Sequence, residues 1–265
     1  MQMNLMKEFP SPNVTHIIPK NLIGLPTYFN VISHGQGIFE LNPTHEMTRD
    51  QRGIVDQMKD WFSLYEKHAA TYPVTITGAK VDSDNCKLAG STRFCTMDKQ
   101  FAEYLTNIVS KYSIVDIIRT EQTIEQQWGM STVEFQRTIW WEMINVSQYF
   151  RFMRYSSGGE HFPHYDSDFN YDYNQTSTKY SIVVYFNNCN SGELAFINDT
   201  TEHAKDKSDW TRQATNDEIW LKIKPSCMKI VLFPHTLCHT VLPFTDKDSY
   251  RYICRGDILF KGATR

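Results

Sequence analysis

The sequence lacks any apolar run approaching the ~18 to 20 residues of a membrane-crossing helix. Its opening, MQMNLMKEFPSPN, has no apolar stretch ahead of a cleavage site. These absences set the expectation of a soluble, cytoplasmic protein with no membrane partner. Neither sign of charge dominates: 27 Lys and Arg stand against 30 Asp and Glu, a net charge of −3. That balance gives no general pull toward nucleic acid or an anionic surface, although a local basic patch would not register in the sum. Internal repeats, low-complexity linkers and CxxC pairs are also missing. The six cysteines (Cys86, Cys95, Cys189, Cys227, Cys238 and Cys254) are scattered along a chain too long to need disulfide staples. They read as buried thiols in a reducing compartment.

What is present divides into two styles. With 265 residues the chain has room for one large domain or two small ones. Residues 1–43 are rich in turn formers, among them Pro10, Pro12, Pro19, Pro26, Gly35 and Gly37. A helix is expected from Thr48, because Thr48 and Gln51 have capping-box spacing and Ile54, Val55, Met58, Trp61, Phe62 and Tyr65 recur at helical intervals. A second is expected over Met97–Tyr112, with Phe101, Tyr104, Leu105, Ile108 and Val109 on one side. A third is expected near Ser131, where Ser131 and Glu134 again have capping-box spacing. After Tyr149 the pattern changes to short β-rich runs: YFRFMRY, YSIVVYF, GELAFI, EIWLKI, MKIVLF, HTVLPF and YRYICRGDILF. Gly, Asn, Asp and Pro clusters separate them, as in a sandwich or barrel. The expected class is therefore α+β. A mostly helical or irregular segment, residues 1–148, packs on a β core over 149–262, and nothing linker-like divides them into separate domains.

One stretch of that core, HFPHYDSDF (161–169), concentrates metal-ligating side chains. Pro163 argues against a helix. In an extended segment, residues two apart share a face and residues three apart do not. Local geometry therefore favours His164 with Asp166 over His164 with His161. An imidazole beside a carboxylate supplies two of the three ligands of a 2-His-1-carboxylate site suited to Fe(II). Alone, an HxD triplet is common and more often incidental than functional. The candidate third ligand is His239, which starts a later β run, with Arg251 on the next. Three protein ligands leave room on iron for a bidentate 2-oxo acid and dioxygen. The far carboxylate of 2-oxoglutarate then needs a fixed cation, and a guanidinium fork matches a carboxylate.

At this point the residues meet a family. FRFMRYSSGGEHFPHYD, YSIVVYFNN with SGELAF, and IVLFPHTLCHTVLPF followed by SYRY resemble, in order, three blocks of the prolyl 4-hydroxylase-like Fe(II)/2-oxoglutarate-dependent dioxygenases. The likeness covers about Tyr149 to Phe260. It implies a double-stranded β-helix (jelly-roll) core with the site in its mouth, an oxygenase activity, and Fe(II), 2-oxoglutarate and dioxygen as requirements, with ascorbate as a stimulant. It implies that His164, Asp166 and His239 bind iron and that Arg251 holds the distal carboxylate, where many members use lysine. It also implies that Tyr155 contacts the co-substrate and that Ser181 lies near it. The chain departs from the family pattern at SGELAF, where Ser191 replaces a glycine and Leu194 a threonine.

Competing readings attach to several neighbours. His235 and His239 have the i, i+4 spacing of two ligands on one helix, but IVLFP and Pro234 argue against a helix there, which leaves His235 as a loop residue or one behind the ligands. His161 is expected at solvent or at the site mouth, and Asp168 exposed. Arg255 and Asp257 read as a surface pair flanking the strand ladder. The stretches 167–179 and 198–217 read either as solvated loops or as substrate lids. Asp166 is a carboxylate where a halogenase of the superfamily has a small residue, which argues against halogenation and leaves hydroxylation, desaturation and ring formation open, with hydroxylation the first reading. A peptidyl proline or other protein residue is the first substrate reading. The alternatives are a free amino acid or other small molecule, and a non-catalytic binding barrel. The lack of an extended basic tract disfavours nucleobases.

Overall fold

Runs such as YSIVVY lack the polar alternation of a half-exposed strand because both of their faces are covered. A computed structural model describes residues 25–69, 91–128, 131–171, 175–198 and 212–263. In chain order these hold β1 (Phe29–Gly35), β2 (Ile38–Pro43), α1 (Arg49–Ala69), β3 (Ser91–Met97), α2 (Lys99–Lys111), β4 (Ile117–Trp128), β5 (Ser131–Val146), β6 (Tyr149–Tyr155) and β7 (His161–His164). There follow β8 (Asn170–Tyr171), β9 (Thr176–Tyr185), β10 (Leu194–Ile197), β11 (Ile219–Ile223), β12 (Ile230–Pro234), β13 (His239–Val241) and β14 (Arg251–Ala263). The large sheet runs β1-β2-β12-β9-β14-β5-β4, with β6 also paired to β14 and bridging to β3, and β8 beside β9. The small sheet runs β11-β10-β13-β7. All the pairings are antiparallel. This is the jelly-roll core that the sequence blocks imply.

Strand alternation sorts the large sheet's side chains into two layers. Phe150, Phe152, Ile182, Val184, Ile230, Leu232, Cys254 and Ile258 face outward into one core with Phe101, Leu105 and Val109 of α2. Their neighbours Met153, Tyr155, Val183, Tyr185, Val231, Phe233 and Ile253 face inward, against Leu194, Phe196 and Val241 of the small sheet. The functional residues belong to this inner layer. The α2 helix starts at Asp98, whose carboxylate accepts the Phe101 amide at 2.9 Å. The expected capping box of α1 is present: the Thr48 amide donates to Gln51 Oε1 at 2.8 Å and the Gln51 amide to Thr48 Oγ1 at 3.2 Å. The side chains of Met58, Trp61, Phe62 and Tyr65 lie outside the described residues. No helix among the described residues is long and apolar enough to cross a membrane.

Two expectations need correction. The third helix, near Ser131, is instead β5, which pairs with β4 from Trp128↔Ser131 to Ile117↔Glu142. The sequence carried the competing signal: Val133, Phe135, Ile139, Trp141 and Met143 recur at even spacing, and β-branched and aromatic residues are dense. Capping-box spacing alone could not outweigh that. Residues 1–148 are also less helical than expected, since β1 to β5 all fall among them.

Gly256 on β14 is tightly enclosed. A Cβ there would lie 2.8 Å from Phe150 Cε1 and 3.3 Å from Ile182 Cγ2. The missing side chain lets Phe150 reach Phe101 of α2, with ring centroids 5.2 Å apart. Gly256→Ala should therefore destabilise by about 1–3 kcal/mol through overpacking, read by thermal denaturation. An unchanged melting temperature would show that the Phe150 ring moves aside at no cost.

Candidate active site

The β7–β13 pairing places His164 directly opposite His239. Their rings lie 4.2 Å apart, centroid to centroid. Asp166 follows the end of β7, and its Oδ2 is 3.6 Å from His239 Nε2. Ligand atoms of His164, Asp166 and His239 all fall within 4.8 Å of one another. Each imidazole is oriented from behind: His164 Nδ1 donates to the Phe162 carbonyl at 2.8 Å and His239 Nδ1 to the Leu237 carbonyl at 3.0 Å. A carbonyl only accepts, so Nδ1 carries the proton and Nε2 keeps its lone pair. Two imidazoles with Nε2 free and one carboxylate converging are a donor set that fits Fe(II).

His161 does not behave as strand alternation predicts. Between His239↔His164 and Val241↔His161, β7 uses one residue more than β13. This bulge turns His161 back to the side of His164, and the two rings stack at 3.7 Å. His161 is half-buried and lines the pocket in front of the triad. A bulge of this kind has no reliable mark in the sequence.

At the other end of the same pocket is Arg251, 1% exposed. Its guanidinium carbon sits 4.0 Å over the Tyr155 ring, and the two residues are cross-strand partners. Nη1 donates to the Gly192 carbonyl. Nε and Nη2 are buried with no hydrogen-bond partner. Unpaired donors on a buried cation are costly, and a carboxylate is the group that would satisfy them. Gly192 matters because a Cβ there would lie 2.7 Å from Arg251 Nη1, and its φ of +77° suits glycine. Tyr155 is fully buried, and its hydroxyl donates to Met153 Sδ at 3.6 Å. Tyr185, which the sequence pattern did not single out, also lines the pocket beside Arg251, and burial raises its phenol pKa. Of the two departures from the family pattern, Leu194 forms pocket wall, whereas Ser191 bonds Asp246 Oδ1 at 2.6 Å and ties two loops together.

Arg255 and Asp257 are not a surface pair. They share the inward face of β14 with Arg251, Arg255 lines the pocket, and Asp257 is buried. Arg255 Nη2 lies 2.9 Å from Asp166 Oδ1 and donates to Asp257 Oδ1 and Ser181 Oγ, each at 3.0 Å. Ser181, expected beside the co-substrate, donates its hydroxyl to Asp166 Oδ2. Behind them, buried His235 has Nε2 3.3 Å from Asp257 Oδ1 and donates from Nδ1 to Asp168 Oδ1 at 3.0 Å. Asp168, expected exposed, is partly covered and also pairs with Lys179. Cys238, next to His239, is buried. Of the two candidate lids, 199–211 and 172–174 lie outside the described residues. The remainder of 167–179 folds back on β9, where the Thr178 amide donates to the Phe169 carbonyl at 3.0 Å.

The His235 environment predicts a pH dependence. Burial lowers the pKa of this imidazole, but the Asp168 and Asp257 carboxylates outweigh it and raise the pKa from 6.5 to about 9. A folded-state pKa above the unfolded one stabilises the protein fully below about pH 6.5, and that share is lost as pH rises through about 9. Wild-type melting temperature should therefore fall across this window more than that of His235→Gln. Parallel profiles would mean that His235 is not protonated in the folded protein.

Residues 150–256 match the family model of the 2OG-Fe(II) oxygenase superfamily. No curated protein matches. Among solved structures, a Pseudomonas putida prolyl-4-hydroxylase is 11% identical with a TM-score of 0.44, over 84% of this chain and 92% of that one. AviO1 from Streptomyces viridochromogenes is also 11% identical at 0.44, over 84% and 89%. HygX from Streptomyces hygroscopicus, with nickel and 2-oxoglutarate bound, is 8% identical at 0.42, over 87% of each chain. What the comparisons show is a likeness of residues 150–256, the stretch that carries His164, Asp166, His239 and Arg251, to the 2OG-Fe(II) oxygenase superfamily.

Proposed function

We propose that the chain hydroxylates a residue of a protein or peptide substrate, peptidyl proline first among them, with His164, Asp166 and His239 as the iron ligands. The observation that carries the site assignment is the pairing of two unlike features in one pocket. Three metal-type donor atoms lie within 4.8 Å of one another, and a buried guanidinium across from them has two donors unpaired. The first suits a divalent cation; the second suits a carboxylate beside it. Iron held there supplies the oxidising power for C–H hydroxylation as 2-oxoglutarate is decarboxylated to succinate. The chain's own part is positional. Carbonyls of Phe162 and Leu237 fix the imidazoles, and Arg251, stacked on Tyr155, anchors the far carboxylate. Val183, Phe233 and Val241 make the walls that exclude water.

The choice of peptidyl proline is supported by the order of the three sequence blocks shared with prolyl 4-hydroxylase-like enzymes. The reading of residues 1–265 as one dioxygenase domain is supported by β14, which pairs with β5 from the N-terminal segment and with β6 and β9 from the core.

The test is succinate release from 2-oxoglutarate by purified protein with Fe(II), ascorbate and air. Parallel reactions contain pooled proline-containing peptides, free amino acids or oligonucleotides. Peptides should raise turnover, and His164→Ala, Asp166→Ala and His239→Ala should abolish it. Arg251→Ala should raise the KM for 2-oxoglutarate by about 10- to 100-fold, the range expected for losing hydrogen bonds to a charged group. Stimulation by free amino acids alone would replace the peptide reading with a small-molecule one. Normal turnover by the Asp166 and Arg251 variants would overturn the site.

A further inference from the structure

Asp166 is the least constrained member of the triad if only backbone is considered. It lies beyond the last hydrogen-bonded residue of β7, in a stretch with no regular structure. A carboxylate in such a place can rotate, offering either oxygen or both to a cation. Here it is gripped from the large sheet instead. Arg255 Nη2 lies 2.9 Å from Oδ1, while Oδ2, which receives the Ser181 hydroxyl, is the oxygen facing His239 Nε2 at 3.6 Å. We propose that Arg255 is a positioning residue that occupies Oδ1 of Asp166, so that Oδ2 alone is presented to the metal. This rests on the reading of His164, Asp166 and His239 as metal ligands.

The grip has its own support. Arg255 is held by Asp257 from the same strand face, Asp257 faces His235, and His235 bonds Asp168, which pairs with Lys179. The cluster balances: Asp166, Asp168 and Asp257 are matched by Arg255, Lys179 and His235 when protonated. β14 thus has two guanidiniums on one face with different work. Arg251 keeps two donors unpaired, as a ligand anchor would. Arg255 has one buried donor unpaired, Nε, but carboxylates of the chain already on its Nη2, as an orienting group would. All of these contacts are made by Nη2 alone, so a lysine ammonium could keep the charge but not the planar direction of that one nitrogen.

Anaerobic titration with Co(II) tests this directly, reading the Kd and the visible absorption of the bound ion, with the melting temperature of each variant alongside. Arg255→Gln should weaken Co(II) binding by about 10- to 100-fold, the usual cost of losing a group that orients a ligand, and change the cobalt spectrum. Arg255→Lys should recover part of the affinity, and Asp257→Asn should lose less than Arg255→Gln. The KM for 2-oxoglutarate should stay near wild type in Arg255→Lys. Glu40→Gln is the structural control: it breaks a buried pair between Glu40 of β2 and Lys229, the residue before β12, so it should lower the melting temperature while leaving the Co(II) Kd within about twofold, the scatter expected of a site it does not touch.

Wild-type Co(II) affinity in Arg255→Gln overturns the proposal. If that variant does not fold, wild-type affinity in both Arg255→Lys and Asp257→Asn overturns it. An effect of equal size in Glu40→Gln would reduce it to general destabilisation. A raised KM for 2-oxoglutarate with unchanged Co(II) affinity would make Arg255 a co-substrate contact instead. Failure of the underlying reading looks different: His239→Ala would then bind Co(II) as tightly as wild type.

Discussion

Burying charge is the constraint on which the centre of this molecule depends. Strand β14 turns Arg251, Arg255 and Asp257 toward the space between two sheets, where each would be costly without a partner. The costs are met differently along the strand. Arg255 Nη2 and Asp257 are met by each other, by Asp166 and by His235, with Arg255 Nε left unpaired. Arg251 is met only in part, by a carbonyl and an aromatic face, and keeps two donors for something outside the chain. The fold's specificity at this point comes from the pleat: one register step would turn all three toward α2 and its apolar core.

The two sheets divide the labour. The small one supplies His164 and His239 as direct cross-strand partners, so their separation is set by strand pairing and not by flexible loops. The large one supplies the charged groups that hold Asp166 and the guanidinium across the pocket. Burial of apolar side chains on both faces of β6, β9, β12 and β14 keeps that sheet rigid enough to serve as a platform.

Much of this was legible in the sequence, for identifiable reasons. His164 and Asp166 stand out because Pro163 excludes a helix and two-residue spacing in an extended segment keeps side chains together. His239 and Arg251 are marked by β runs of the right order, and the structure brings His164, His239 and Arg251 to one pocket with Asp166 beside the two histidines. What stayed hidden depended on tertiary facts. The β7 bulge moves His161 onto His164, and no residue pattern announces it. Arg255 and Asp257 share strand parity with Arg251, so their face was readable; the general tendency of charged residues to be exposed led to the opposite expectation. The helix expected near Ser131 failed because capping-box spacing weighed more than an alternation of apolar residues that strand pairing with β4 makes decisive.

On the proposed reading, this pocket takes a divalent metal at its histidines and a 2-oxo acid between that metal and Arg251. A crystal structure of the protein grown without oxygen, with Mn(II) and 2-oxoglutarate, tests it most directly. Mn(II) is predicted on His164 Nε2, His239 Nε2 and Asp166 Oδ2, and the distal carboxylate on Arg251 Nε and Nη2. Mn(II) bound elsewhere, or a co-substrate carboxylate that leaves Arg251 unpaired, would contradict it.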